Sequence, residues 1–534
     1  MLFSSCTFVP FVSIQRLGFD SLRSARGEFY RRVKLLYDMD TENSPLPLAQ
    51  AALLLMAWVP PSNLSLIPYK MWLGRAVQHT KSLNADRVAK DNSNAATKHQ
   101  KALRRLWWCC VALDRVSPLC TRFNPYLRHD SFNLESSCAL ISEDLKDEVF
   151  RSSVYDPASK QHLLSLFEVY MEFMIILTDV LCFIFPCEES LGSKQLDNAK
   201  IDECSSAMNS WLARAMAVIP PSTIPTTDGK KQNLHKSVFV HVNLMYIYYH
   251  HSSIALCHTR LLRLIKSNSS KDIETCELGL IRNELQEAAE AMTQLFADLN
   301  THRLVCWLPI SALCCLVFPL AFYVVTARLR AANTSLGIDD SNHKNLSVIM
   351  ETIKSLFPQY DGADLIKETV KYAADLAHAG QALSNDSAPP TSWTQILIGD
   401  PRLYLKMVMS IDLSINKGRL AEEDDFPPGL FGNMCLDPWA TQQAADSDIV
   451  LYTDSSGLES ALAQCGETLS DKKKEGTNRI DIRTEPTWGG SDSLDSTIAE
   501  FPWVYGSMHA TDQLSETIEW DEMPLSDVEL DPTE

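Results

Sequence analysis

The residues best placed to do chemistry at short spacing are His250-His251 and Cys257-His258, where the pairs His250/Cys257 and His251/His258 share faces of any helix that carries them. Imidazoles and thiolates ligate zinc, but such sites combine one face with partners three or four residues away. The cluster lacks those partners and reads as part of a packed, hydrogen-bonded helix. Other chemistry has no signature here. G-x-S-x-G, G-x-x-x-x-G-K-[ST], G-x-G-x-x-G and H-E-x-x-H do not occur, so no enzyme is expected. The 15 cysteines are irregularly spaced and many fall in apolar helical runs (Cys109, Cys110, Cys182, Cys257, Cys314, Cys315), the pattern of buried thiols in a reducing compartment.

The elements around them are helical almost throughout. Apolar periodicity predicts helices over Ser21–Tyr37, Leu46–Trp58, Tyr69–Leu83, Thr97–Leu119, His162–Phe185, Cys204–Val218, Ser237–Ser267 and Lys271–Leu299, then over Leu304–Arg330, His343–Phe357, Leu365–Ser384 and Arg402–Ile415. Strand-period alternation is nearly absent, and only 19 glycines are present, about half the usual ~7%. The expected fold class is therefore all-α: a multi-helical body over residues 1–417 and an acidic, largely disordered tail over 418–534. Within Ser21–Tyr37, Arg26 falls on the apolar side. The N-terminus is apolar but lacks the basic start of a signal peptide.

Leu304–Val325 holds 22 residues without a charge, long enough to cross a bilayer. Pro309 and Pro319 interrupt it, and no comparable span accompanies it, so a buried core helix is expected and no membrane. Charge separates the two parts of the chain. Residues 1–420 carry 43 Lys+Arg against 41 Asp+Glu, whereas residues 421–534 carry 5 against 26. A nearly neutral body gives no bulk attraction for a polyanion, so specific DNA binding by these residues alone is not expected.

One segment is distinctive. Leu103–Asp114, LRRLWWCCVALD, continues into RVSPLCTRFNPYLRHDSFNLE, which places Arg104, Arg105, Trp107, Trp108, Asp114 and Arg115 on a helix ahead of an Arg-, Asn- and Pro-containing loop and the step Asp130-Ser131-Phe132. This run resembles the fungal-specific transcription factor domain, the middle homology region of binuclear zinc cluster regulators, in its R-R-x-W-W-x-x-x-x-x-D-R form. The upstream run FDSLRSARGEFYRRVKLLYDMDTENSPLPLAQAALLLMAW is similar to the cutinase transcription factor beta type, and the resemblance spans mainly residues 1–330. It implies a nuclear transcription regulator. Members usually carry an N-terminal zinc cluster, C-x2-C-x6-C repeated, that points a helix at the major groove. C-x-x-C occurs nowhere here, so no cofactor is expected in this chain, and DNA contact is expected only through a partner or a missing N-terminal zinc cluster. The loop Thr121–Pro125 lacks the family's usual glycine.

The residues alone give the motif a blander reading. Leu103, Leu106, Trp107, Cys110 and Leu113 form an apolar stripe, with Lys101, Arg104 and Arg105 outside it. Trp107 and Trp108 read as core and contact residues, and Arg104, Arg105, Asp114 and Arg115 as solvated or semi-buried ion pairs. Two other function classes are open to an all-α chain: a helical small-molecule-binding protein, and a protein anchored in a membrane through 304–325.

In the tail, Ser515–Glu534 carries eight acids and no base around Ile518, Trp520, Met523, Leu525, Val528 and Leu530. Acidic-hydrophobic mixing keeps bulky side chains solvated and available to a groove on a partner. The segment is read either as an activation segment for a coactivator or the transcription machinery, or as an inert solubilising end. A homo- or heterodimer is the other partnership expected.

Overall fold

The computed structural model describes residues 1–58, 67–89, 97–127, 145–185, 198–219, 235–267, 275–331, 340–382, 389–427 and 430–431. In chain order the helices are α1 (Leu2–Ser5), α2 (Phe11–Arg16), α3 (Leu22–Asp38), α4 (Pro45–Leu55), α5 (Ile67–Ser82), α6 (Ala85–Val88), α7 (Lys98–Thr121), α8 (Pro157–Ile184) and α9 (Asn198–Val218). They continue as α10 (Lys236–Ser267), α11 (Thr275–Thr301), α12 (Ile310–Cys315), α13 (Val317–Ala331), α14 (Asp340–Leu356), α15 (Ala363–Ala382), α16 (Trp393–Gly399) and α17 (Pro401–Lys417). Among the described residues there is no strand. The fold is all-α.

Local sequence sets the helix ends. Ser21 opens α3 by accepting the Ser24 N–H, and Thr97 and Gln100 close a reciprocal capping box at α7. Asp156 caps α8 just ahead of Pro157, and Asp400 caps α17 just ahead of Pro401, where a missing N–H costs nothing. Gly418 ends α17 at φ 69°, a backbone region open to glycine without penalty. Pro118 removes one hydrogen bond near the end of α7, and Arg122 closes the helix in the left-handed region with its N–H on the Pro118 carbonyl.

One core cluster runs from Phe3 to Phe431. Its axis is α10, in which every residue from Ser237 to Tyr249 is buried. That helix packs against α7, α8, α9, α11, α12 and α17, so its first half has no face left for water. At about 1.5–3 kcal/mol per fully buried large apolar side chain, it is a principal source of the fold's stability. Arg26, on the apolar side of α3, is buried and donates to the Ala57 carbonyl, with its guanidinium over the Phe3 and Tyr360 rings at 5.1 and 5.2 Å.

Two sequence expectations need correction. Leu304–Arg330 is not one helix but a 3-10 turn at Val305–Trp307 followed by α12 and α13. Pro309 starts α12, and Pro319 offers no N–H to the Cys315 carbonyl, so the helix breaks at Leu316. His251, from α10, lies against the Cys315 backbone at that break. The apolar run itself is buried: 83% of the most apolar window in Ile310–Ala331 is covered by protein. Second, the body does not stop at Lys417. Ala421, Phe426, Leu430 and Phe431 are buried in the main core, held by Lys406, whose Nζ bonds Glu423 at 2.9 and 3.0 Å and lies 5.3 Å from the Phe426 ring. An acidic composition masked this return, because sequence periodicity cannot see a short strap whose apolar residues reach a distant helix. Residues 432–534, including the proposed activation segment, lie outside the described residues.

Candidate functional site

The distinctive motif sits on α7, and α7 is encircled by α4, α5, α6, α8, α10, α12 and α17. Encirclement explains why Trp107 and Trp108, which point about 100° apart, are both only 2% exposed. Trp72 of α5, also fully buried, donates its indole N–H to the Tyr30 hydroxyl at 3.1 Å, tying α5 to α3 beside this helix.

The charged motif residues are deeper than surface ion pairs. Asp114 is 1% exposed and Arg115 is 0%, and Arg104 is buried as well. Only Arg105 has the semi-buried character expected, in an ion pair with Glu148. Asp114 accepts the backbone N–H groups of Tyr126 and Leu127 at 2.8 and 2.9 Å and pairs with Arg115. Arg115 Nε donates to Thr178 Oγ1 of α8 at 2.8 Å, and its terminal nitrogen donates to the Leu127 carbonyl at 2.8 Å. Desolvation pushes the Asp114 carboxyl up, and the Arg115 charge with the two backbone N–H groups pulls it down. The Asp-Arg step is thus a clamp: it folds the loop Arg122–Leu127 back onto the helix that precedes it. Asp130 and Phe132 of the motif lie outside the described residues.

That loop carries Arg122, which no local pattern marks out. Arg122 Nε donates to Asp412 Oδ1 of α17 at 2.6 Å, and Asn416 of α17 donates to the Arg122 carbonyl at 3.2 Å. The guanidinium lies 5.5 Å from the Phe318 ring, which His251 stacks on at 5.7 Å and His258 meets edge-on at 4.8 Å. His258 Nε2 hydrogen-bonds the Tyr404 hydroxyl at 3.1 Å. Burial first, and then the Arg122 charge, hold His258 down at about 3, and burial holds His250 at about 4. Cys257 hydrogen-bonds Glu284 rather than a histidine. The His/Cys cluster is therefore a packed set of neutral rings, and among the described residues no three His, Cys, Asp or Glu side chains converge to hold a metal.

Beside this network lies a cavity of about 100 Å³ between α1, α7, α12 and the segment Met56–Trp58 that follows α4. Trp58, Tyr69, Val116 and Ile310 supply apolar wall, and Arg26, Ser117, Thr121, Tyr248 and Ser311 supply its polar groups. Cys120 and Cys314 also line it. Nothing in the linear sequence signals that meeting, because the two thiols are brought together only when α12 packs on α7.

The sequence profile described as the fungal specific transcription factor domain matches residues 1–213, the stretch that includes the whole of α7 and its clamp. Over residues 1–213 the chain is similar to a fungal specific transcription factor domain. The match ends within α9, yet the core of that region is completed by α10, α12 and α17, so the later helices belong to the same folded body. The chain is 25% identical over 339 residues to a protein of Fusarium pseudograminearum (strain CS3096) named transcription factor, an alignment covering 58% of this chain and 37% of that one. It is 23% identical over 345 residues to cutinase transcription factor 1 beta of Fusarium vanettenii, with the same coverages. Transcription factor cpaR of Aspergillus oryzae is 27% identical over 138 residues, covering 25% of this chain and 22% of that protein. The chain thus aligns with little more than a third of the length of the two Fusarium relatives. No solved structure matches.

Proposed function

We propose that this chain is the regulatory part of a fungal transcription regulator that acts in the nucleus and performs no enzymatic reaction. The observation that carries the reading is the match to the fungal specific transcription factor domain over residues 1–213, with the Asp114-Arg115 clamp built into the core of a larger helical body. In this reading the body is a signal-bearing scaffold. Contact with DNA comes through a partner or through a zinc cluster outside these residues, since the body's charge is close to neutral. Residues 432–534 supply output: Trp520, Met523, Leu525, Val528 and Leu530 stand among acids at spacings that suit a helix laid into a coactivator groove.

The test separates hydrophobic recognition from charge. Fused to an unrelated DNA-binding domain, residues 432–534 should drive a reporter. Changing Trp520, Met523 and Leu525 to Ala, with every acid kept, should abolish the output. Reporter activity that survives the triple change overturns the coactivator mechanism, and a tagged full chain that stays out of nuclei overturns the regulatory reading.

A further inference from the structure

Cys120 lies in the last turn of α7, and Cys314 lies in α12, which packs directly on α7. Both side chains are half-buried and line the same cavity, where the two sulfurs interact, and the Cys120 thiol donates to the Val116 carbonyl at 3.6 Å. Their neighbour Cys315 is 0% exposed and does not line it. The pair is asymmetric. The contact with Cys120 and, against desolvation, the Arg122 charge hold the Cys314 thiol below its ordinary range, whereas the contact with Cys314 and burial raise Cys120. Two thiols thus stand side by side near the Arg122 charge, with a mostly apolar cavity giving access to both.

We propose that Cys120 and Cys314 form an oxidisable dithiol that a small hydroperoxide entering the cavity converts to a disulfide between α7 and α12. In the first step the Cys314 sulfur attacks the terminal peroxide oxygen and the O–O bond breaks. The leaving alkoxide takes up the proton released by the Cys314 thiol, giving an alcohol and a sulfenic acid. In the second, the Cys120 sulfur attacks the sulfenic sulfur, the S–O bond breaks, and the departing hydroxide leaves as water with the Cys120 proton. The two thiols lose two electrons and two protons in all, and one hydroperoxide accepts them. A neutral oxidant suits this cavity, since a charged one would lose hydration in a wall of Trp58, Tyr69, Val116 and Ile310. The disulfide would lock α12 against the end of α7, immediately before Arg122 and its contact with α17. This inference does not depend on the transcriptional reading, because it concerns the thiols alone.

The test uses the full reduced chain, treated with tert-butyl hydroperoxide, alkylated under denaturing conditions and mapped by peptide mass spectrometry. The expected product is a cross-link between the tryptic peptides Val116–Arg122 and Leu304–Arg328, lighter than their sum by two hydrogens. It should be lost in Cys314→Ser and retained in Cys315→Ser. In Cys120→Ser a dimedone adduct should appear at Cys314 instead, since the sulfenic acid has no resolving thiol. Far-UV circular dichroism establishes that each variant is folded, and the wild-type map stands without any variant. The proposal is overturned if wild type shows no such cross-link at a dose that oxidises the exposed Cys276, or if the cross-link survives in Cys314→Ser.

Discussion

Asp114→Ala is the most informative perturbation of the clamp. The substitution removes a carboxylate that is 1% exposed, that accepts two backbone N–H groups at 2.8 and 2.9 Å, and that pairs with the fully buried Arg115. A hydrogen bond to a charged group contributes about 1.5–3 kcal/mol, and breaking a buried ion pair from one side costs about 3–5 kcal/mol. These figures overlap, because one carboxylate makes all three contacts, so the expected loss is about 4–5 kcal/mol rather than their sum. Arg115→Met in the same chain removes the stranded charge and should recover about 1–3 kcal/mol, although it forfeits the bonds to Thr178 and the Leu127 carbonyl. Urea titration followed by far-UV circular dichroism and by tryptophan fluorescence measures the single and double variants. A loss below about 1 kcal/mol for Asp114→Ala, or a double variant equal to the sum of the two singles, would refute the clamp.

Trp107→Ala should cost about 3–5 kcal/mol, since the ring is 2% exposed on a helix surrounded by others; an unchanged melting temperature would contradict that packing. Phe426→Ala should cost about 3 kcal/mol and expose residues 421–431 to limited proteolysis, whereas cleavage at the wild-type rate would mean the strap is not anchored there. Acid should destabilise the fold through its buried histidines: burial holds His241 at about 4 and, with the Arg122 charge, His258 at about 3, against an ordinary 6.5. Each is neutral when folded and takes up a proton on unfolding, so its contribution is complete above pH 6.5 and is lost as pH falls toward about 4 and then about 3. His258→Gln should flatten that part of the stability profile, and an identical slope in the variant would remove His258 from the account.

The long amphipathic helices could be read from sequence because each carries its own periodic stripe and often its own cap, as Thr97 and Gln100 do for α7. Short elements could not. The helices α1, α2, α6 and α16 hold 4, 6, 4 and 7 residues, too few to show a period, and each buries one to three side chains against its tertiary neighbours. Arg104 falls outside the apolar stripe of α7, yet seven neighbouring helices bury that side of α7 too. The meeting of Arg122 with Asp412 spans 290 residues, and no local pattern announces it.

What the sequence determined by itself was the class of the molecule. Helical periodicity with few glycines dictates an all-α body, the charge split marks an acidic end, and the run from Arg104 to Arg115 resembles the family. Those are properties of composition and of neighbours three or four residues apart, which a helix displays without help from the rest of the chain. Tertiary structure alone decided which charges go inside. Asp114, Arg115 and Lys406 are buried because partners from other parts of the chain arrive to satisfy them, and without those partners desolvation would keep each in water. It also decided that Cys120 and Cys314, 194 positions apart, share one cavity, because only the packing of α12 on α7 brings the two sulfurs within reach.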